Sequence, residues 1–257
     1  MNARPRRWRA KRHRRGPGAS LALVVSLVLV GIGLIILGAG EIATDLTTER
    51  RYELLRQEAC KAERHQNASQ ADAVFNGDCP FDAWLTVEGT PIDYPVAQAT
   101  GADPEFYLSH DLWGEKTHVG CPYFDWRCSP GDTHKIIYAH HIGTTQLQFS
   151  PIADTWQQER FDQLTSATLA TRAGTETYIP FCARVVDKQF EDVQRFSMDQ
   201  GELREWLGSL VAKASAATPE PDALASKARK ALTLVTCASQ QGGQRERTLL
   251  VFVSLES

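Results

Sequence analysis

The chain has 257 residues, 42% of them hydrophobic, and a formal net charge of −3 that hides a sharp division. Eight of the 28 basic residues precede residue 20 and none of the 31 acidic ones do, so the remainder carries 20 basic against 31 acidic side chains, a net charge of −11. A basic run placed this way is a topology signal rather than a phosphate-binding patch, and the balance excludes nucleic acid as a partner.

In chain order, the arginines and lysine between Arg4 and Arg15 make residues 1–18 a basic tail. Residues 19–40 are a candidate transmembrane segment: 20–39 carry no charge and are dominated by Leu, Val, Ile, Gly and Ala. At about 1.5 Å per residue, a helix of that length spans roughly 30 Å, the hydrocarbon thickness of a bilayer. The positive-inside rule places the tail in the cytoplasm and everything after Gly40 outside the cell. A cleaved signal peptide has an apolar region of only about 7–15 residues. A retained single-pass anchor in the cell membrane is therefore expected, although Leu37-Gly-Ala-Gly40 leaves room for processing. Residues 41–82 are polar and helix-favouring and read equally as a helical stalk or a solvated spacer. Residues 83–257 are ample for one extracellular domain with its own core.

Within that domain, runs rich in β-branched and aromatic residues predict strands at 83–87, 94–98, 121–125, 135–140, 175–186, 231–237 and 248–255. A short helix is predicted at 157–164 and a longer one at 197–214. In the longer one Ser197 and Gln200 have capping-box spacing, and Met198, Leu203, Trp206, Leu207 and Leu210 recur at near-helical intervals. Residues 216–225, with two prolines, read as a loop. Pattern alone supports a mostly β domain with some helix.

The six cysteines stand at 60, 79, 121, 128, 182 and 237. In an exported chain their spacing suggests Cys121 paired with Cys128 and Cys60 with Cys79. Cys182, inside a strand-like run, is the natural unpaired buried thiol. No CxxC pair is present, so a zinc site is not indicated.

Three strand ends carry candidate chemistry. Thr233-Leu-Val-Thr236-Cys237 is a buried-type strand ending on cysteine, Arg247 opens the apolar run 249–253, and Lys135-Ile-Ile-Tyr138-Ala-His140-His141 runs into a histidine pair. Side by side, the last two strands would bring a thiol and a guanidinium to one end of a sheet. A thiolate can attack a carbonyl, an imidazole can handle the proton, and a cation can stabilise the oxyanion. Adjacent in extended chain, His140 and His141 point to opposite faces, which disfavours both holding one metal ion. Arg245 shares the alternation of Arg247 but reads as a solvated loop charge. Tyr138 and Thr236 read as support around the reacting groups; Asp125 could orient a side chain near them but reads first as structural.

These segments resemble those of the sortases, the cysteine transpeptidases that fix proteins to Gram-positive cell walls. The shared pattern is a histidine after a strand, a Thr-Leu-x-Thr-Cys strand end and an arginine opening the last strand. Ile92-Asp-Tyr-Pro-Val96, Tyr107-Leu-Ser-His-Asp111 and Gly120-Cys-Pro-Tyr-Phe-Asp125 extend the resemblance to class B, from about Trp84 to the C-terminus. The chain departs from that class at Ala139 and His141, which usually read glycine and asparagine, and at Val235, often serine.

The resemblance implies a closed β-barrel of about eight strands with peripheral helices, one of them inserted before the cysteine strand. It implies Cys237 as nucleophile, His140 as general acid and base, and Arg247 as oxyanion and substrate stabiliser, with Thr236, Tyr138 and His141 at substrate-binding positions. The implied reaction cleaves a C-terminal sorting motif of the Asn-Pro-x-Thr or Leu-Pro-x-Thr-Gly type through a thioacyl-enzyme, using no metal and no organic cofactor. Implied partners are sorting-signal-bearing surface proteins or pilins, a peptidoglycan-precursor amine as acceptor, and the membrane. Two alternatives stand beside it: a pilin-polymerising sortase and a catalytically silent anchored β-barrel binding module. A papain-like enzyme is disfavoured because His140 precedes Cys237, the reverse of that order.

Overall fold

The computed structural model describes residues 17–66, 81–189, 191–238 and 245–255. The basic run before residue 16, Cys79 and the polar residues 239–244 lie outside the described residues, as does the side chain of Cys60; the expected Cys60–Cys79 pairing lies there with them.

The strands are β1 (Ala83–Val87), β2 (Ile92–Gln98), β3 (Tyr123–Phe124), β4 (His134–Tyr138), β5 (Ala167–Thr171), β6 (Gly174–Asp187), β7 (Ala216–Ala217), β8 (Lys230–Cys237) and β9 (Glu246–Ser254). Eight of them close a ring in the order β5-β1-β2-β3-β4-β8-β9-β6, because β6 pairs back onto β5, and β7 hangs on the outside of β6. The pairs are antiparallel except β2–β3 and β4–β8. The parallel β4–β8 pair sets Tyr138 against Val235, so the residues that follow both strands emerge at one end.

Alternation along the strands makes two cores. Leu85, Tyr94, Ile137, Leu169, Leu232, Leu234 and Phe252 fill the barrel. On its outer wall, Ile136, Val235, Leu249, Val251 and Val253 are covered by α3 (Gln200–Val211) through Leu203, Trp206, Leu207 and Leu210. Each such side chain, fully buried, contributes about 1.5–3 kcal/mol. His134 belongs to this outer layer. It is fully buried, its ring nitrogens lie 2.5 Å from the Arg195 carbonyl and 2.7 Å from Thr233 Oγ1, and burial lowers its pKa to about 4, so it is neutral.

Several sequence expectations are corrected. The capping box of α3 is formed by Asp199 and Glu202, each side chain accepting from the other's backbone N–H, not by Ser197 and Gln200. Ser197 instead donates to Asp132 at 2.6 Å, which leaves its hydroxyl no role at the helix end. The predicted loop at 216–225 contains β7 and α4 (Pro221–Lys227), whose first turn takes proline because its N–H would be unpaired there anyway. A short helix, α2 (Gln158–Phe161), and the unpredicted β5 complete the domain. Cys121 and Cys128 are free thiols, not a disulfide. Cys121 Sγ lies 3.3 Å from the Pro122 carbonyl, Cys128 Sγ accepts the Ile136 N–H at 3.4 Å, and burial pushes both thiols up to about 12.

The long helix α1 (Pro17–Gln66) covers the segment read as anchor and the first part of the one read as stalk, whose residues 67–80 lie outside the described residues. Residues 1–43 and 44–257 are separate compact units. Among the described residues, one stretch of helix, Ala22–Glu58, is long and apolar enough to cross a membrane. From residue 44 onward α1 belongs to the barrel unit, where Tyr52 is completely buried.

Candidate active site

Strand parity decides which side chains meet. Ile136, Val235 and Leu249 face the outer layer, so Tyr138, Cys237 and Arg247, each two residues away, share that face. Cys237 and Arg247 are directly opposed in the β8–β9 register. Both are half-buried and border a cavity of about 480 Å³, as do Tyr138, His140 and His141. The cysteine, histidine and arginine singled out in the sequence are thus brought around one cavity.

Beyond β4 the chain stays beside β8, with the Ala139 N–H donating to the Val235 carbonyl at 3.2 Å. His140 Nε2 lies 2.6 Å from the Leu108 carbonyl. A carbonyl only accepts, so this contact assigns the hydrogen to Nε2 and leaves the lone pair of neutral His140 on Nδ1. By the same reasoning His141 Nδ1, 3.0 Å from the Cys237 carbonyl, donates to it and braces the end of β8. The two imidazoles have different tasks: one is held by the last residue of the first 3₁₀ turn (Phe106–Leu108), the other holds the backbone of Cys237.

Thr236 borders the cavity, but parity turns it inward; its hydroxyl is buried and has no hydrogen-bond partner among the described residues. The Tyr138 hydroxyl donates to Asp125 at 3.1 Å and its ring stacks on Tyr123 at 5.5 Å. Arg245 lies outside the cavity lining, exposed and paired with Asp187 at 2.9 Å, as a loop charge should be.

Sequence reasoning missed a second polar layer. Arg127 donates to Asp125 at 2.8 and 2.7 Å and to Gln194 at 3.0 Å, with its guanidinium 4.9 Å from the Phe196 ring. Burial raises the Asp125 pKa, but the hydrogen bonds and charge of Arg127 outweigh it and hold the carboxyl below its ordinary value. Trp126, Lys188 and Glu105 also line the cavity. The Phe124-Asp-Trp-Arg127 run was the available signal. The Leu108 carbonyl had none, because a backbone acceptor carries no residue identity.

No protein-family model matches the chain. Sortase B of Listeria monocytogenes is 28% identical over 131 residues, which cover 46% of this chain; the match spans about half (51%) of that protein's length. The Staphylococcus aureus sortase B–substrate complex superposes with a TM-score of 0.69 at 19% identity, covering 82% of this chain and 98% of that one. A sortase B complexed with triglycine gives 0.69 at 20% identity, covering 82% and 99%. The closed barrel is the fold of these sortase B structures. In sequence and in fold, the chain is similar to class B sortases.

Proposed function

We propose that the protein is a cysteine transpeptidase that cleaves a C-terminal sorting motif and transfers the acyl product to an amine. The observation that carries this reading is the Cys237–Arg247 opposition beside His140 at one open cavity. The Cys237 thiolate attacks the carbonyl carbon of the threonine in an Asn-Pro-x-Thr or Leu-Pro-x-Thr-Gly type motif. Arg247, on the neighbouring strand, stabilises the tetrahedral oxyanion. His140 as imidazolium keeps its Nε2–H on Leu108 and delivers the Nδ1 proton to the leaving amine, giving the thioacyl-enzyme. Neutral His140 then takes a proton at Nδ1 from the incoming amine as it attacks the thioester, and Cys237 leaves as thiolate. The substrate and triglycine complexes of related folds support a peptide donor and an amine acceptor as the two ligands. We further propose wall anchoring, with a peptidoglycan-precursor amine as acceptor, surface proteins as donors, and the apolar part of α1 as a single-pass anchor with a cytoplasmic N-terminus.

The test uses the full chain in detergent, a library of sorting-signal peptides, and triglycine or hydroxylamine as acceptor, with products read by mass spectrometry. Cleavage after threonine with formation of the amide or hydroxamate, abolished in Cys237→Ala, is expected. Absence of any product across the library contradicts the proposal and favours the silent binding module.

A further inference from the structure

We propose that Tyr52, on α1, is a positioning residue for His140. One face of α1 grips the loop between residues 108 and 121. Asp45, Thr48, Arg51 and Tyr52 recur at helical spacing. Asp45 accepts from Thr117 Oγ1 at 2.7 Å and from the His118 N–H at 3.0 Å. Thr48 and Arg51 reach the buried Asp111 at 3.4 and 3.6 Å. Tyr52 lies at the centre: its hydroxyl accepts the Leu112 N–H at 3.2 Å and donates to the Gly120 carbonyl at 2.9 Å.

Gly120 is the residue against which His140 rests. It has φ +69, and a Cβ there would lie 3.2 Å from His140 Cδ2 and 2.5 Å from the Tyr107 carbonyl. The next residue, Cys121, donates its N–H to Tyr107 at 3.0 Å, fixing the strand of loop whose following carbonyl, Leu108, receives His140 Nε2–H. One hydroxyl on α1 therefore sets the backbone that meets the imidazole at Nε2 and at the adjoining Cδ2. A second route runs through the Tyr94 ring, 5.8 Å from that of Tyr52: the Gln148 N–H points at the Tyr94 hydroxyl at 3.4 Å, and Gln148 bridges His141 while Phe149 N–H donates to the His140 carbonyl at 2.9 Å.

The kinetic arm of the test rests on the transpeptidase reading; the spectroscopic arm does not. Tyr52→Phe keeps the ring and removes only the hydroxyl. In the full chain in detergent, we expect kcat to fall about tenfold to a hundredfold, the effect of a small misplacement of a reacting group, with KM within about twofold. The ¹⁵N spectrum of labelled histidines, with His140 assigned from a His140→Gln variant, should shift from the Nε2–H tautomer towards a mixture. A variant that melts earlier yet keeps the wild-type kcat and His140 spectrum overturns the proposal, as does a loss of kcat with an unchanged spectrum. Wild-type protein that turns over no sorting peptide, while Tyr52→Phe still shifts the His140 spectrum, overturns the transpeptidase reading and sustains the positioning role.

Discussion

At the scale of single residues, the four described cysteines divide by environment. Burial pushes the thiols of Cys121, Cys128 and Cys182 up to about 12, so at neutral pH they hold their protons and react slowly. Cys237 instead stands half-buried at the cavity beside Arg247. Iodoacetamide applied to the folded chain is expected to label Cys237 far faster than these three; peptide mapping that finds Cys121, Cys128 or Cys182 labelled first would contradict the assignment. The two arginines divide in the same way. Arg247→Ala is expected to lower kcat/KM by about 10²–10³, the usual effect of removing one oxyanion donor. Arg245→Ala, which loses only an exposed pair with Asp187, should change it less than threefold. Equal losses in both variants would show that Arg247 has no special part in turnover.

At the scale of elements, the site depends on register more than on local conformation. The parallel β4–β8 pair and the antiparallel β8–β9 pair align a histidine, a cysteine and an arginine from segments far apart in the chain. The α3 layer beside them is separately testable: Asp199→Ala removes the capping-box acceptor and should cost about 1 kcal/mol in urea unfolding, with activity per folded molecule unchanged. The helix itself was legible from the apolar spacing of Leu203, Trp206, Leu207 and Leu210. Its start was not, because Ser197 and Asp199 both have a suitable partner three residues on. Only tertiary structure, through the Ser197–Asp132 hydrogen bond, decides between them. β7 was invisible for a related reason. Two alanines have no strand propensity, and they pair only because β6 passes beside them. β5, small and alternating, carried too few β-branched residues to stand out. The Cys121–Cys128 pairing failed because short spacing cannot tell that the two thiols point to different backbone partners.

At the scale of the whole molecule, stability should respond to pH through His134. Its folded pKa, about 4, lies below its ordinary value of 6.5, so the unfolded chain binds the extra proton between those values. The stability this represents is fully present above about pH 6.5 and is lost as the pH falls towards 4. It amounts to roughly 3 kcal/mol at most, from 1.36 kcal/mol per pKa unit. Paired carboxylates such as Asp125, also held low, add their own loss at the acid end of the range. Urea midpoints at pH 7, 6 and 5 are expected to fall steadily in the wild type and less steeply in His134→Phe. Parallel slopes in the two proteins would remove His134 as the cause. At this scale alternation made legible a mostly β domain and the strand ends that bear Cys237, His140 and Arg247, because period and spacing survive folding unchanged, whereas closure of the barrel was legible only through the resemblance to sortases. What it did not disclose are the features made by contact between distant segments: the Asp125–Arg127 layer, the carbonyl that selects the His140 tautomer, and the grip of α1 on the loop behind it.

Whether Cys237 carries the acyl group during turnover can be read by acid-quenching the enzyme with a sorting peptide and no amine acceptor, then weighing the intact protein and mapping the modified residue. A mass increase equal to the acyl fragment ending in threonine is expected, located on Cys237, discharged by added triglycine and absent from Cys237→Ala. An adduct on another residue, or one that persists in Cys237→Ala, would contradict that role for Cys237.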